Sequence, residues 1–155
     1  RRGVRVTILR APGIYAETRL PLDRIRQGTP VLAPEDDVFT NHIHADDLAR
    51  AAVAAIFRGL PNRAYNVADD AEMKMGGWFD AVADAFHLPR PPRVTWDEAE
   101  QRIAPLLLSF MSESRRLVNA RMKRELRVRL AFPTPHVLLA AVAPRELKKQ
   151  LPLAL

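Results

Sequence analysis

The chain has 155 residues, no cysteine and a formal net charge of +6. That length suffices for one domain with a real core, and the missing cysteines exclude disulfides, thiolate metal sites and cysteine nucleophiles. No run reaches the roughly 18 consecutive apolar residues of a membrane span, and Arg1-Arg2-Gly3 leads into an alternating stretch instead of an apolar signal region. A cytoplasmic protein without membrane contact is the resulting expectation.

The arginines run from Arg1 to Arg145 with Asp and Glu interleaved, and no basic block alternates with stacking aromatics. Nucleic acid is therefore not an expected partner. Dispersed arginine also suits anionic small molecules such as a nucleotide diphosphate, which it grips bidentately.

In chain order, Val4 to Leu9 alternates and then turns apolar before Ala11-Pro12-Gly13, which predicts a buried strand ending in a loop. Leu20 to Arg26 predicts a short helix stopped by Gly28, and Val38 to His44 a short extended piece. The clearest helix follows: Asp46 or Asp47 as N-cap, an apolar face of Leu48, Ala51, Ala52, Ala55 and Ile56, and a stop at Gly59 and Pro61. Ala64 to Val67 predicts a second strand. A helix over about 77–87 turns Phe79, Val82, Ala83 and Phe86 inward, and Val94 to Trp96 predicts an edge strand. Further helices are expected over 97–103, broken at Pro105, and from Ser112 or Ser114 to Leu126. Val128 to Phe132 should be extended. Thr134-Pro135 opens a final helix through Val142, and 144–155 is a tail, helical or disordered. Two strands joined through a helix imply parallel pairing, and a lone parallel pair needs more sheet and cover on both faces.

Several stretches resemble extended, atypical short-chain dehydrogenases of the NAD(P)-dependent epimerase/dehydratase family. Val6 to Tyr15 resembles the strand and loop after the catalytic Tyr-x-x-x-Lys, with Arg10 and Tyr15 at the places of Arg and Tyr in Arg-x-x-x-(Val/Ile)-Tyr-Gly. Thr40-Asn41-His42-Ile43-His44-Ala45-Asp46-Asp47 is similar to the His-Val-Asp-Asp helix opening, and Tyr65-Asn66-Val67 to a Tyr-Asn-(Val/Ile)-Gly strand. Ser114 to Leu126 looks like the helix ending in Lys/Arg-x-x-x-Leu-Gly. The set covers most of Val4 to Leu126.

The resemblance implies an α/β fold: the C-terminal portion of a Rossmann-type doubly wound parallel sheet with a mostly helical substrate-binding lobe. Residues 1–72 would be late strands and crossover helix of the NAD(P)-binding domain, 73–143 the lobe and 144–155 the tail. Pro12, Gly13 and Ile14 would approach the nicotinamide of NAD or NADP, a plain turn being the alternative. Tyr15, Thr40, Asn41 and Arg115 would face a small-molecule substrate; for Tyr15 the alternative is a core tyrosine, and for Arg115 and Arg116 a solvated basic face. His44 would buttress the helix start, and no metal is expected. Ala16 and Thr40 depart from the family's glycine and phosphate-contacting arginine.

No catalytic residue is expected here. The two tyrosines are followed four positions later by Arg19 and Asp69, never lysine, and the six glycines cannot spell a dinucleotide-binding fingerprint. The dyad should lie upstream of Arg1 in a missing N-terminal half. The intact parent would be an NAD(P)-dependent oxidoreductase, epimerase or dehydratase, and this fragment alone would be inactive, poorly soluble and apolar on its open sheet. A non-catalytic NAD(P)-binding or regulatory relative is the alternative, and homodimer formation is left open.

Overall fold

The computed structural model describes residues 3–150. Strand β1 (Thr7–Arg10) pairs in parallel with β6 (Arg63–Asn66), placing Leu9 opposite Tyr65 and Arg10 opposite Asn66. The chain then changes partner: β2 (Gly13–Tyr15) pairs in parallel with β5 (His42–His44). Pro12 sits at the change, and a residue without an amide N–H cannot carry a ladder through it. Between these strands lie the short helix α1 (Leu22–Arg26), β3 (Val31–Leu32) and β4 (Phe39–Thr40). Gly28 ends the α1 region with φ +64°, where its missing Cβ matters.

Helix α2 (Ala45–Arg58) returns the chain from β5 to β6. Its N-cap is His44, whose ring Nδ1 accepts from the amide of Asp46 at 3.2 Å, so the expected caps Asp46 and Asp47 lie within the first turn. Both carboxylates still stand at the positive end of the helix. Asp47 is fully buried and accepts from the amides of Ala131 (2.9 Å) and Phe132 (2.8 Å). The α2 core face consists of Asp47, Ala51 and Ala55, small enough for close packing. Ile56, expected inward, is 77% exposed.

Beyond β6, β7 (Met73–Lys74) pairs antiparallel with β4, and α3 (Met75–Ala85) buries Phe79, Val82 and Ala83 as its periodicity requires. Asp37 caps α3 from a distance, its Oδ2 accepting from the Gly76 amide at 3.0 Å. Strand β8 (Arg93–Val94) pairs with β3, and Thr95 and Glu98 form a capping box on α4 (Trp96–Arg102).

The break at Pro105 occurs as expected, and Pro105 also opens a further helix, α5 (Pro105–Met111), because a first-turn proline surrenders no hydrogen bond. Two expectations fail after this point. The helix expected from 112 or 114 to 126 is reduced to Ala120 onward, mostly one wide turn over Met122–Leu126. Residues 113–119 have no regular structure, since their backbone groups bond elsewhere, as described below. Val128 to Phe132 pairs in no strand; the Ala131 and Phe132 amides go to Asp47. The last helix, α6 (Pro135–Gln150), opens at Pro135 as expected but passes Val142 and takes in 144–150 of the expected tail. The remainder of that tail, 151–155, lies outside the described residues.

One apolar cluster joins Tyr15 and Ile25 to Trp78, Phe79, Val82 and Leu138; a second joins Ile43 and Tyr65 to Met122 and Leu126. No described helix is long and apolar enough to cross a membrane.

Candidate functional site at the strand ends

A cleft of about 670 Å³ opens where β1 and β6 end. Pro12, Gly13, Thr40, Asn41 and Arg115 all line it, so residues far apart in sequence meet here. Arg10, Ala11, Asn66, Phe39, Phe110, Glu113 and Leu117 complete the wall. Sequence reasoning named none of these seven as site residues, although Arg10 and Asn66 end the parallel pair, and carboxyl ends of parallel strands are where α/β sheets bind ligands.

Gly13 lines the cleft, and a side chain there would be crowded for a local reason. A Cβ would stand 3.2 Å from the His42 ring and 3.3 Å from the Asn41 carbonyl oxygen. Its amide donates to that oxygen at 3.2 Å, so β2 lies tight against the β5 lead-in. Ala16 does no harm in the glycine position: at φ −160°, ψ 172° its backbone is extended, which any residue adopts.

Ile14 and Tyr15 are not in the cleft wall. Ile14 packs against the second apolar cluster, and Tyr15 is buried in the first with its hydroxyl donating to the Phe132 carbonyl at 3.4 Å. Burial, followed by the negative charge of Asp69, pushes the Tyr15 hydroxyl well above its ordinary range. That direction is opposite to what a proton-donating tyrosine requires at neutral pH.

Arg115 projects at the cleft beside Glu113, Nη2 to Oε2 2.6 Å, with both side chains exposed. Arg116 points away, its guanidinium 5.0 Å over the Phe39 ring and 3.2 Å from Glu72. Thr40 carries no charge, yet Arg10 and Arg115 leave the cleft two guanidinium groups.

A buried polar layer lies beneath. His44 stacks on Phe132 at 3.6 Å between ring centroids, and burial lowers its pKa, consistent with a neutral ring accepting at Nδ1. His42 leaves Nδ1 unpaired, and burial lowers its pKa to about 4. Asp69 leaves Oδ2 unpaired while Oδ1 accepts from the Ala71 amide at 3.0 Å; burial pushes its carboxyl up to about 7.

No family model and no curated protein matches the chain. Solved structures do. A functionally unknown conserved protein from Silicibacter pomeroyi is 31% identical, the match covering 90% of this chain and 48% of that one with a TM-score of 0.76. A human epimerase family protein, solved with NADPH, matches at 15% identity over 90% of this chain and 48% of its own, TM-score 0.71. A nucleoside-diphosphate-sugar epimerase from Pseudomonas aeruginosa matches at 16% identity over 96% and 50%, TM-score 0.72.

The chain shares its fold with the C-terminal part of the epimerase-family structures it matches. It spans about half the length of the solved structures it matches. In this epimerase fold the parallel pairs β1–β6 and β2–β5 bring Pro12-Gly13 and Thr40-Asn41 to one cleft.

Proposed function

We propose that this chain is the later portion of an NAD(P)-dependent oxidoreductase, epimerase or dehydratase whose substrate is small and nucleotide-sugar-like. In this reading residues 1–72 belong to the nucleotide-binding domain and 73–143 to the substrate lobe. The observation that carries the reading is the cleft itself: Pro12 and Gly13 share it with Thr40, Asn41, Arg10 and Arg115. The NADPH of the human neighbour and the substrate class named for the Pseudomonas one add support.

Bound nicotinamide would supply hydride transfer. This chain's part is narrower. Pro12 and Gly13 offer a side-chain-poor floor against which a flat ring can lie, and Arg10 and Arg115 offer charge to an anionic group. No Gly-rich phosphate loop occurs among the six glycines, so a pyrophosphate would be held by residues outside this chain. Tyr15 has no lysine four residues on and holds its proton too tightly for acid–base work, so residues 1–155 alone should not turn over. Val6 and Ile8, each 47% exposed, and the groove of about 370 Å³ between Leu9 and Ile56 leave both faces of β1 partly open, which further sheet would cover.

The test is titration of the full-length protein with NADPH and NADH, followed by fluorescence of the reduced ring. Saturable binding of one or both is the expected result, with no turnover by residues 1–155 alone. Binding of neither, or reduction catalysed by the isolated chain, would refute the proposal.

A further inference from the structure

We propose that Asn41 is a positioning residue, whose side-chain amide stands in for a strand residue and holds Arg115 and Leu117 in the cleft wall. The inference rests on the reading of the cleft as the ligand site, and it replaces direct ligand contact as the role of Asn41.

Residues 113–119 carry no regular structure, yet they follow one path across the strand ends. Asn41 Nδ2 donates to the Arg115 carbonyl at 2.8 Å, and Asn41 Oδ1 accepts from the Leu117 amide at 2.7 Å. In a parallel ladder a residue donates to the carbonyl before its neighbour and accepts from the amide after it. Asn41 reproduces that pattern around Arg116 with its side chain. Its own backbone carbonyl remains free to receive the Gly13 amide. One residue thereby joins both walls: Gly13 through its main chain, Arg115 and Leu117 through its side chain.

Only a short primary amide fits this post. Aspartate lacks the donor and would set a carboxylate oxygen against the Arg115 carbonyl, while serine and threonine have a single polar atom. Other ties hold the segment: Ser114 Oγ accepts from the Phe39 amide at 3.1 Å, the Arg115 amide donates to the Phe39 carbonyl at 3.2 Å, and Asn66 Nδ2 donates to the Val118 carbonyl at 3.3 Å. None of them holds the Arg115 carbonyl or the Leu117 amide, so loss of Asn41 should free the stretch from that carbonyl to Leu117 while the segment stays attached on either side.

The experiment has two arms on the full-length protein, with UDP as the nucleotide probe. By amide hydrogen exchange, Asn41→Ala should deprotect Leu117 while α2 and β6 keep their protection. In binding, Asn41→Ala and Arg115→Ala should each weaken UDP by roughly ten-fold, and the double variant no further, as for residues that act as one unit. If Asn41→Ala does not fold, Asn41→Asp, which keeps the acceptor for Leu117 and loses the donor to the Arg115 carbonyl, takes its place in the same binding cycle with Arg115→Ala. A Leu117 amide that stays protected, or additive losses in the cycle, would overturn the role. If wild-type protein binds no UDP, the functional reading fails on substrate class, and exchange at Leu117 still decides whether Asn41 holds the wall.

Discussion

Asp69 and His42 occupy the same buried layer, and pH acts on them with opposite sign. The Asp69 carboxyl rises from 3.8 in the open chain to about 7 in the fold, so its neutral form is favoured, and stability from this group is lost as pH rises through about 7. The His42 ring falls from 6.5 to about 4, so its contribution is lost as pH drops below 6.5. Between pH 4 and 6.5 the two largely offset each other, and from 6.5 upward Asp69 alone titrates. Replacement of Asp69 by Asn should therefore unmask His42: urea-unfolding stability then climbs from pH 4 to 6.5 and levels off, with the variant gaining on wild type between about pH 4 and 7 and keeping that gain at higher pH. Parallel profiles for the two proteins would show that Asp69 is not the titrating group. The sequence displayed both residues and gave no sign of either shift, because burial is decided by the meeting of β2, β5 and α3, not by neighbours in the chain.

Elements were legible where local signals and tertiary packing agree. Helix α2 was recoverable from its alanines and Gly59, α3 from Phe79, Val82 and Ala83, and the β1–β6 pair from two apolar strands flanking a helix. The segment from 112 to 126 misled because its composition suits a helix, while Asn41, Asn66 and Phe39 offer its backbone other partners. Tertiary hydrogen bonds outweigh propensities worth well under about 1 kcal/mol per residue. The cleft was legible in part: Pro12, Gly13, Thr40, Asn41 and Arg115 line it, whereas Tyr15 and Ile14 belong to the apolar clusters. Alternation assigns residues to faces, but it does not say which face meets the core. Asp47 shows how strongly one element depends on another. Its carboxylate satisfies the Ala131 and Phe132 amides, and Phe132 in turn supports His44 and receives the Tyr15 hydroxyl. Truncation in Asp47→Ala leaves two part-buried amides without their acceptor and should cost about 2 kcal/mol in denaturant unfolding. A loss under about 1 kcal/mol would mean that those amides find water or another acceptor.

At the scale of the molecule, the strand pairs are short and joined end to end, and β1 has apolar side chains open on both faces. Val4 and Phe57, at 88% and 80% exposure, extend the open apolar surface to the chain before β1 and the outer face of α2. Surface of this kind belongs to a partly covered sheet and favours association. The solved chains that share the fold are about twice as long. The most direct measurement is amide hydrogen exchange on the full-length protein with and without NADPH. Added protection concentrated at residues 10–14 and 39–41 is the predicted result. Saturating NADPH that leaves both segments unchanged would contradict the assignment of this cleft to the cofactor.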